Sequence, residues 1–286
     1  MIRILLYLAL AAGAFLAWPT PTRAAESYDN CTGFIDSLPA TIGTQGVWCL
    51  RKDLSTAMTS GNAIEVVANN VTLDCNDFKI GGLAAGAGSQ ARGVYTSGRM
   101  NITVRNCNVR GFHWGIALSG GAGHLIEDNR LDQNLRIGIY LFSSENNRIR
   151  RNAVYDTGGA TGFNESTGIF TGVAHADIEN NTVAGVFANA ANSWAYGIKA
   201  SAGGTSVRGN QVRGLVASGS GLAYGIYNSN SGRLVVRDND IHGSGAAGST
   251  GVRCSNSLAT ARDNVISGFD TAISNCQSAY NTINPL

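Results

Sequence analysis

One short pattern recurs through most of this chain and constrains its fold more than any other feature. It consists of an apolar residue, two mostly polar residues, an asparagine, any residue and another apolar residue. It is seen in HLIEDNRL at 124–131, ADIENNTV at 176–183 and TSVRGNQV at 205–212. Repetition at a period of roughly 20 to 50 residues is typical of solenoids and other repeat architectures. The shared position is held by Asn76, Asn129, Asn152, Asn181, Asn210, Asn239 and Asn264, and by Cys107 in one repeat.

A second pattern, glycine followed by isoleucine or valine, sets the spacing of the repeats. It runs from Gly93-Val94 to Gly251-Val252, and each copy lies 13 or 14 residues before the next asparagine position. From an asparagine position to the next such glycine the separation varies from 8 to 17 residues. Every repeat therefore has a constant part, which fits two short strands and a tight turn, and a variable part, which fits a loop on one face.

The apolar residues predict strands. They alternate within runs of three to five residues, which is the period of a strand and not of a helix. Each repeat of 21 to 30 residues has room for about three short strands. We therefore predict an all-β fold from Asn62 to Ile283, a parallel β-helix of about nine coils stacked at roughly 4.8 Å.

The asparagines have a structural explanation in such a fold. Side chains at the same place in successive coils stack into a ladder, and an inward amide can donate to and accept from turn backbone groups. Buried turn groups would otherwise stay unpaired, and asparagine tolerates left-handed turn conformations. We therefore interpret this asparagine ladder as structural and not catalytic.

The ladder and the glycine–isoleucine strands resemble the right-handed parallel β-helix proteins of the pectate-lyase-like superfamily. The resemblance covers Asn62 to Ile283, most of the chain. It implies a right-handed β-helix with the ladder between the second and third sheets. It also implies that the glycine–isoleucine strands form the first sheet, whose outer face carries the substrate groove, and that loops after the third sheet overhang it.

The chain divides into three segments. Residues 1–24 combine a basic start, an apolar run and small residues, which is typical of a cleaved secretory signal; a membrane anchor is the alternative. Residues 25–61 are expected to cap the solenoid, either alone or together with one irregular first coil, and residues 62–286 are expected to form the repeat domain. We expect a secreted or periplasmic monomer with no membrane span after cleavage. No basic run is present, so nucleic acid is not an expected partner.

The six cysteines agree with export. Six cysteines allow fifteen pairings, but stacked coils narrow them, because neighbouring coils bring Cα atoms within disulfide range. One pair falls one position apart in successive repeats, and another follows successive glycine–valine and alanine–isoleucine pairs by three and four residues. The predicted disulfides are Cys75–Cys107, Cys254–Cys276 and, in the cap, Cys31–Cys49. No C-x-x-C pair is present, and we expect neither a metal nor another cofactor.

A candidate binding surface follows from the strands. The residue after each inward isoleucine or valine is predicted to point outward, because side chains alternate along a strand. This line of residues is Glu65, Tyr95, Ala117, Tyr140, Phe170, Lys199, Tyr227, Arg253 and Ser274. Three of the four longest variable segments lie beside it and carry Asp156, Glu165, Trp194, Tyr196 and Tyr224. We predict that an extended polysaccharide binds to Tyr140, Phe170, Lys199, Tyr227, Arg253, Trp194 and Glu165.

Two interpretations of the aromatic residues stay open. Aromatic rings stack on the apolar faces of sugars, while neighbouring charges meet uronate or other anionic groups. Alternatively, aromatic residues on an exposed sheet stack on each other and favour the strand conformation.

The chemistry is less constrained than the fold. The outward line has one carboxylate, Glu65, so the calcium-dependent lyase chemistry of the superfamily is not predicted, and the Gly-His-Gly of its glycosidases is absent. A metal-free β-elimination needs a base and a cation that neutralises the uronate, for which Lys199, Arg253 and Tyr227 are the catalytic candidates. We predict a β-helix protein that binds an extended polysaccharide, with an anionic chain as one option. The alternative is a polysaccharide lyase or another carbohydrate-active enzyme.

Overall fold

A computed structural model describes residues 28–229, 232–256 and 258–284, without the side chains of Val173 and Ala174. The chain divides into two compact units, Met1–Asn30 and Cys31–Leu286. All elements below belong to the second unit. The predicted signal, residues 1–24, lies outside the described residues. Within the described ranges, no helix has the length and hydrophobicity that a bilayer span requires.

The second unit is an all-β parallel solenoid whose short strands form three sheets. The first sheet contains Ala40–Ile42, Asn62–Val66, Arg92–Ser97, Trp114–Ser119, the first halves of Ile137–Arg150 and Glu165–Glu179, Trp194–Ala200, Ala223–Asn228, Thr250–Arg253 and Thr271–Ser274. The second sheet contains Gly33–Ile35, Gly46–Leu50, Val71–Asp74, Ile102–Arg105, Leu125–Glu127, the second halves of the two long strands, Thr205–Arg208, Leu234–Arg237, Thr260–Arg262 and Gln277–Ala279.

The third sheet contains Leu54–Ser55, Lys79–Gly81, Asn108–Arg110, Arg130–Asp132, Ala153–Tyr155, Thr182–Phe187, Gln211–Val216, Asp240–His242, Val265–Ser267 and Thr282–Asn284. A single 3-10 turn, Leu83–Ala85, is described between strands. Each strand pairs in parallel with its equivalent in the next coil. The apolar side chains of all three sheets meet in one continuous core.

The nine coils predicted from Asn62 onward are present, and one further coil precedes them. The described part of the segment expected to act as a cap, residues 25–61, supplies a strand to each of the three sheets. Gly33–Ile35 then pairs with Gly46–Leu50 on the side away from the repeat. The sequence pattern does not mark this coil. Its first-sheet strand, Ala40–Ile42, has no glycine–isoleucine pair, and its turn after Leu50 has no asparagine.

Core packing explains the glycine of each glycine–isoleucine pair. A Cβ atom at Gly168 would lie 2.3 Å from Cγ1 of Val183 and 2.7 Å from the carbonyl oxygen of Gly197. Ile169, the next residue, is fully buried. Two successive positions therefore face the core, which breaks the simple alternation of a strand. As a consequence, the residue before each glycine lies on the outer side of the sheet, where Ile137 and Thr167 are still buried.

The asparagine ladder runs between the second and third sheets. Asn181 is 1% exposed, and its Oδ1 accepts hydrogen bonds from the backbone nitrogen and the Nδ2 of Asn152, at 2.9 and 3.0 Å. Its Nδ2 donates to the carbonyl of Ile149 and to Oδ1 of Asn210, both at 3.0 Å. The amide thus pairs turn backbone groups that are closed off from water.

The ends of the ladder differ from the sequence interpretation. Asn281, which the repeat pattern did not include, accepts from the backbone and side chain of Asn264 at 3.0 and 2.9 Å. At the other end, the backbone nitrogen of Cys107 donates to Asn129 at 3.0 Å. Asn76 does not continue the ladder: it is half-buried and donates to the carbonyl of Leu50. Its turn is longer, which moves the side chain out of line.

Disulfides join Cys31 to Cys49, Cys75 to Cys107 and Cys254 to Cys276, the same pairs that the sequence predicts. No cysteine is left free. The second and third of these bonds cross-link neighbouring coils. Three disulfides are typical of proteins that fold in an oxidising compartment.

Candidate functional site

The outward-facing residues of the first sheet form one continuous line, which we call the outer row. Parallel pairing places them opposite each other from coil to coil. In coil order the outer row is Glu65, Tyr95, Ala117, Tyr140, Phe170, Lys199, Tyr227, Arg253 and Ser274. The register inferred from the glycine–isoleucine pairs is therefore the register of the sheet.

A second line, which we call the flanking row, is formed by the residues directly before the glycines and, in the last coil, before Ala272. It consists of Arg92, Trp114, Ile137, Thr167, Tyr196, Tyr224, Thr250 and Thr271. Sequence reasoning placed Tyr196 and Tyr224 in loops and missed Arg92 and Trp114, because it assumed strict alternation. The position before each glycine was the signal that could have found them.

A groove of about 450 Å³ lies over the middle of the two rows. Its lining residues are Trp114, Arg136, Ile137, Tyr140, Glu165, Phe170, Tyr196, Lys199, Ser201, Tyr227 and Ser229. Five of the predicted substrate-binding residues are among them. Of the other two, Arg253 donates a 2.9 Å hydrogen bond to the hydroxyl of Tyr224 at the groove's end. Trp194 is paired opposite Glu165 and is not among the lining residues.

The loops beside the groove are shorter than the variable segments suggest, because each segment begins with a strand of the third sheet. Neighbouring loops are joined by backbone hydrogen bonds, as between Ser193 and Ser218, at 3.0 and 3.1 Å. Phe163, in the loop before Glu165, packs against the guanidinium of Arg136 at 4.4 Å and the ring of His113 at 4.6 Å. These contacts fix the wall of the groove next to its charged residues.

Three charged side chains from successive coils meet in the groove. Nζ of Lys199 donates to Oε2 of Glu165 at 2.7 Å, and Arg136 donates to Oε1 of the same carboxylate at 3.2 Å. All three side chains are about one-fifth exposed, at 16%, 22% and 21%. Partial exclusion of water strengthens such charge-assisted hydrogen bonds. The carboxylate therefore lies where two cations converge.

The aromatic rings of the groove stack mainly on each other. The ring of Tyr140 lies between Trp114 of the coil before it and Phe170 of the coil after it, with centroid distances of 4.4 and 5.1 Å. Interplanar angles of 11° and 10° show that both contacts are face to face. Tyr196 and Tyr224 form a second stack, at 5.4 Å and 13°. The mutual-stacking interpretation therefore describes these rings, and Tyr140 offers a ligand its edge and hydroxyl.

Tyr140 and Tyr196 keep their protons at neutral pH. Burial, followed by the charge of Glu165, raises the pKa of the Tyr196 hydroxyl far above its usual range. Burial also raises the pKa of Tyr140, against the opposing effect of Arg136 and Arg92. Neutral tyrosines beside cations suit the recognition of oxygen-rich, negatively charged groups.

A second hollow of about 480 Å³ lies at the turns between the first and second sheets. Its charged side chains are largely paired: Arg148 lies 3.6 Å from Asp177 and 3.4 Å from Glu179. His124, which also lines it, is 1% exposed and bonded through both ring nitrogens. The groove on the first sheet combines cations in excess with aromatic residues and is the stronger candidate. Within the described ranges, no group of three His, Cys, Asp or Glu side chains could hold a metal ion.

The sequence of residues 53–212 identifies the family of this chain. A family model described as a right handed beta helix region matches residues 53–212, which is more than half of the chain. The chain belongs to this family. A search among curated proteins found no match.

Solved structures show the same beta helix fold at low sequence identity. The A-module of the mannuronan C-5 epimerase AlgE4 from Azotobacter vinelandii is 10% identical, with a TM-score of 0.53, over 90% of this chain and 89% of that one. The Dettilon tailspike protein is 16% identical, with a TM-score of 0.43, over 84% of this chain. The chain spans 60% of that tailspike. An alginate lyase from Paenibacillus sp. str. FPU-7 is 15% identical, with a TM-score of 0.32, over 86% of this chain and 99% of the lyase. These similarities concern the fold alone.

Proposed function

We propose that the protein binds an extended anionic polysaccharide in the groove on its first sheet and does not cleave it. The carrying observation is the charge of the groove. From the coil of Tyr95 to the coil of Arg253, the two rows and the residues next to them hold four cations and one carboxylate. The cations are Arg92, Arg136, Lys199 and Arg253, and the carboxylate is Glu165. Such an excess attracts and orients an anionic chain.

The protonation states of the groove favour binding over cleavage. Lys199, a catalytic candidate from the sequence, donates from Nζ to Oε2 of Glu165 at 2.7 Å, so this nitrogen is already engaged by a carboxylate. Tyr140 and Tyr196 are held in their protonated forms, since burial raises the pKa of both hydroxyls. Glycoside hydrolysis by the common route needs a pair of carboxylates, and Glu165 is the only carboxylate among the described residues that line the groove. The groove thus supplies donors and cations.

The alternative is a polysaccharide lyase that acts by metal-free β-elimination. One arrangement favours it: Lys199, Tyr227 and Arg253 are paired in register on three successive coils of the outer row. A base, a donor and a cation that neutralises the uronate could be placed in this way. The fold is similar to that of a mannuronan C-5 epimerase. This similarity is consistent with a polyuronate ligand, whether the protein only binds the polysaccharide or also cleaves it.

The proposal places the protein outside the cytosol, in the periplasm or the medium, acting as a monomer. The three disulfides support an oxidising compartment.

The test is calorimetric titration of the purified protein with polyuronates and with a neutral glucan, at low and high salt. We expect binding to a polyuronate that weakens as salt rises, since screening acts on exposed charges, and no comparable binding to the glucan. Lys199→Gln should weaken binding about tenfold, which corresponds to about 1.4 kcal/mol, whereas Lys52→Gln, at an exposed turn, should not. Equal affinity for the neutral glucan would overturn the proposal. Release of unsaturated uronate would replace it with the lyase alternative.

A further inference from the structure

The four cations in and beside the groove lie on every second coil. Arg92 belongs to the strand of Tyr95, and Arg136 directly precedes the strand of Tyr140, two coils later. Lys199 follows after two more coils and Arg253 after another two. With a strand spacing of about 4.8 Å, cations recur every roughly 9.6 Å along the axis of the coils.

Aromatic side chains occupy the coils between the cations. Trp114 lies under the guanidinium of Arg92, at 5.0 Å from ring centroid to Cζ. Phe170 lies 5.8 Å from Nζ of Lys199. On the coil before Arg253, the ring of Tyr227 lies 5.9 Å from that guanidinium. Arg92 and Lys199 also lie 4.5 Å from a ring of their own coil, Tyr95 and Tyr196 respectively, so rings of two coils limit the sideways movement of both cations.

This spacing has a counterpart in the geometry of sugar chains. One pyranose residue of an extended chain advances about as far as one coil of the solenoid. In a chain with two-fold screw symmetry, successive residues face opposite sides, so acidic groups on one side recur every second residue. Those groups would then meet the cations at every second coil. At the groove, the described coils between them carry no cation, and that of Phe170 carries Glu165; these coils face the residues whose acidic groups point into solvent.

We infer that the groove selects an extended, two-fold polyuronate, or a polysaccharide with one acidic group per disaccharide, over about seven sugar residues. The inference rests on the proposed function and specifies its ligand. The length follows from the six coil steps between Arg92 and Arg253, roughly 29 Å at the spacing of a sheet. A chain that turns an acidic group to the protein only every third residue meets only the first and the last of the four cations.

The experiment measures affinity against chain length with size-fractionated mannuronan oligomers by titration calorimetry. We expect the affinity to rise with length up to about seven residues and then to stay constant, as each further cation becomes engaged. Arg253→Gln should move the end of this rise to about five residues, because the remaining three cations span four coil steps. Arg262→Gln, which removes an exposed arginine of the second sheet, should leave it unchanged.

The outcomes separate the inference from the proposed function. If no polyuronate binds to the wild-type protein, the proposed function itself is overturned. If polyuronates bind but the affinity stops rising at two or three residues, or the plateau ignores Arg253→Gln, the two-coil inference is overturned and the proposed function stands. Arg92→Gln, at the opposite end of the groove, provides a second variant that should shorten the rise if Arg253→Gln does not fold.

Discussion

Nζ of Lys199 lies 2.7 Å from Oε2 of Glu165, which is held one coil earlier on the same face of the solenoid. Arg136, from the coil before Glu165, reaches the other oxygen at 3.2 Å. The only carboxylate among the described residues that line the groove is therefore bonded to both of the cations that line it. An anionic group of a ligand would compete with Glu165 for the same donors.

Replacing this carboxylate should strengthen binding. In Glu165→Gln, the two cations lose their internal partner, so we expect the affinity for a polyuronate to rise about threefold or more at low salt, within the range of partly exposed ion pairs. Glu145→Gln, which removes an exposed carboxylate that does not line the groove, is the matched control. Titration calorimetry gives the comparison. A loss of affinity in Glu165→Gln would show that the carboxylate itself binds the ligand.

The asparagine ladder should be stabilising at its interior positions. Asn181→Ala removes the partners of a buried backbone nitrogen and a buried carbonyl, which should cost about 1–3 kcal/mol of unfolding free energy. Asn189→Ala, at an exposed loop position, should cost under about 0.5 kcal/mol. Urea denaturation of the two variants measures both values. Equal losses would mean that the interior of the turns is misassigned.

The glycine of a glycine–isoleucine pair should not tolerate a methyl group. In Gly168→Ala the new Cβ would meet Val183 at 2.3 Å, and overpacking of this kind costs about 1–3 kcal/mol. The control is Gly88→Ala, where nothing lies within 4 Å of the added atom. Thermal or urea unfolding should show a large loss for the first variant and almost none for the second. Similar stability of both would refute the inward orientation of the glycine.

Stability should fall as the pH drops below about 6.5. Burial, with the charges of Arg136 and Arg92, lowers the pKa of His113 from 6.5 to about 4. The unfolded chain therefore binds the proton more readily, and the stabilising contribution present above pH 6.5 is lost towards pH 4. Between pH 7 and pH 5 this amounts to about 2 kcal/mol.

The measurement is urea denaturation of the wild-type protein and of His113→Gln at both pH values. The variant should lack this part of the pH dependence, whatever its stability at pH 7. An identical loss in the two proteins would assign the effect to other groups, among them His124, whose pKa burial also lowers.

Much of the fold could be predicted from the sequence because it depends on residues repeated at fixed separations. The same packing and hydrogen-bonding requirements recur from coil to coil. They are met by the inward isoleucines, the glycines before them and the ladder asparagines. Their spacing therefore fixes the register of the outer row and the neighbours of Cys75 and Cys254. The extra coil at residues 40–55 was only an option for the segment expected to act as a cap, since its first-sheet strand has no glycine–isoleucine pair and its turn after Leu50 has no asparagine.

The content of the groove depended on the tertiary structure. The sequence by itself determined which residues follow an inward isoleucine, and so it placed Tyr140 and Lys199 in one line. It did not determine that two successive positions face the core at each glycine, which brings Trp114 and Tyr196 to the same surface. Nor could it pair Glu165 with Lys199, because that contact joins side chains 34 residues apart. Side-chain contacts between coils depend on the conformation of the variable segments that connect the strands, and only the folded chain determines that conformation.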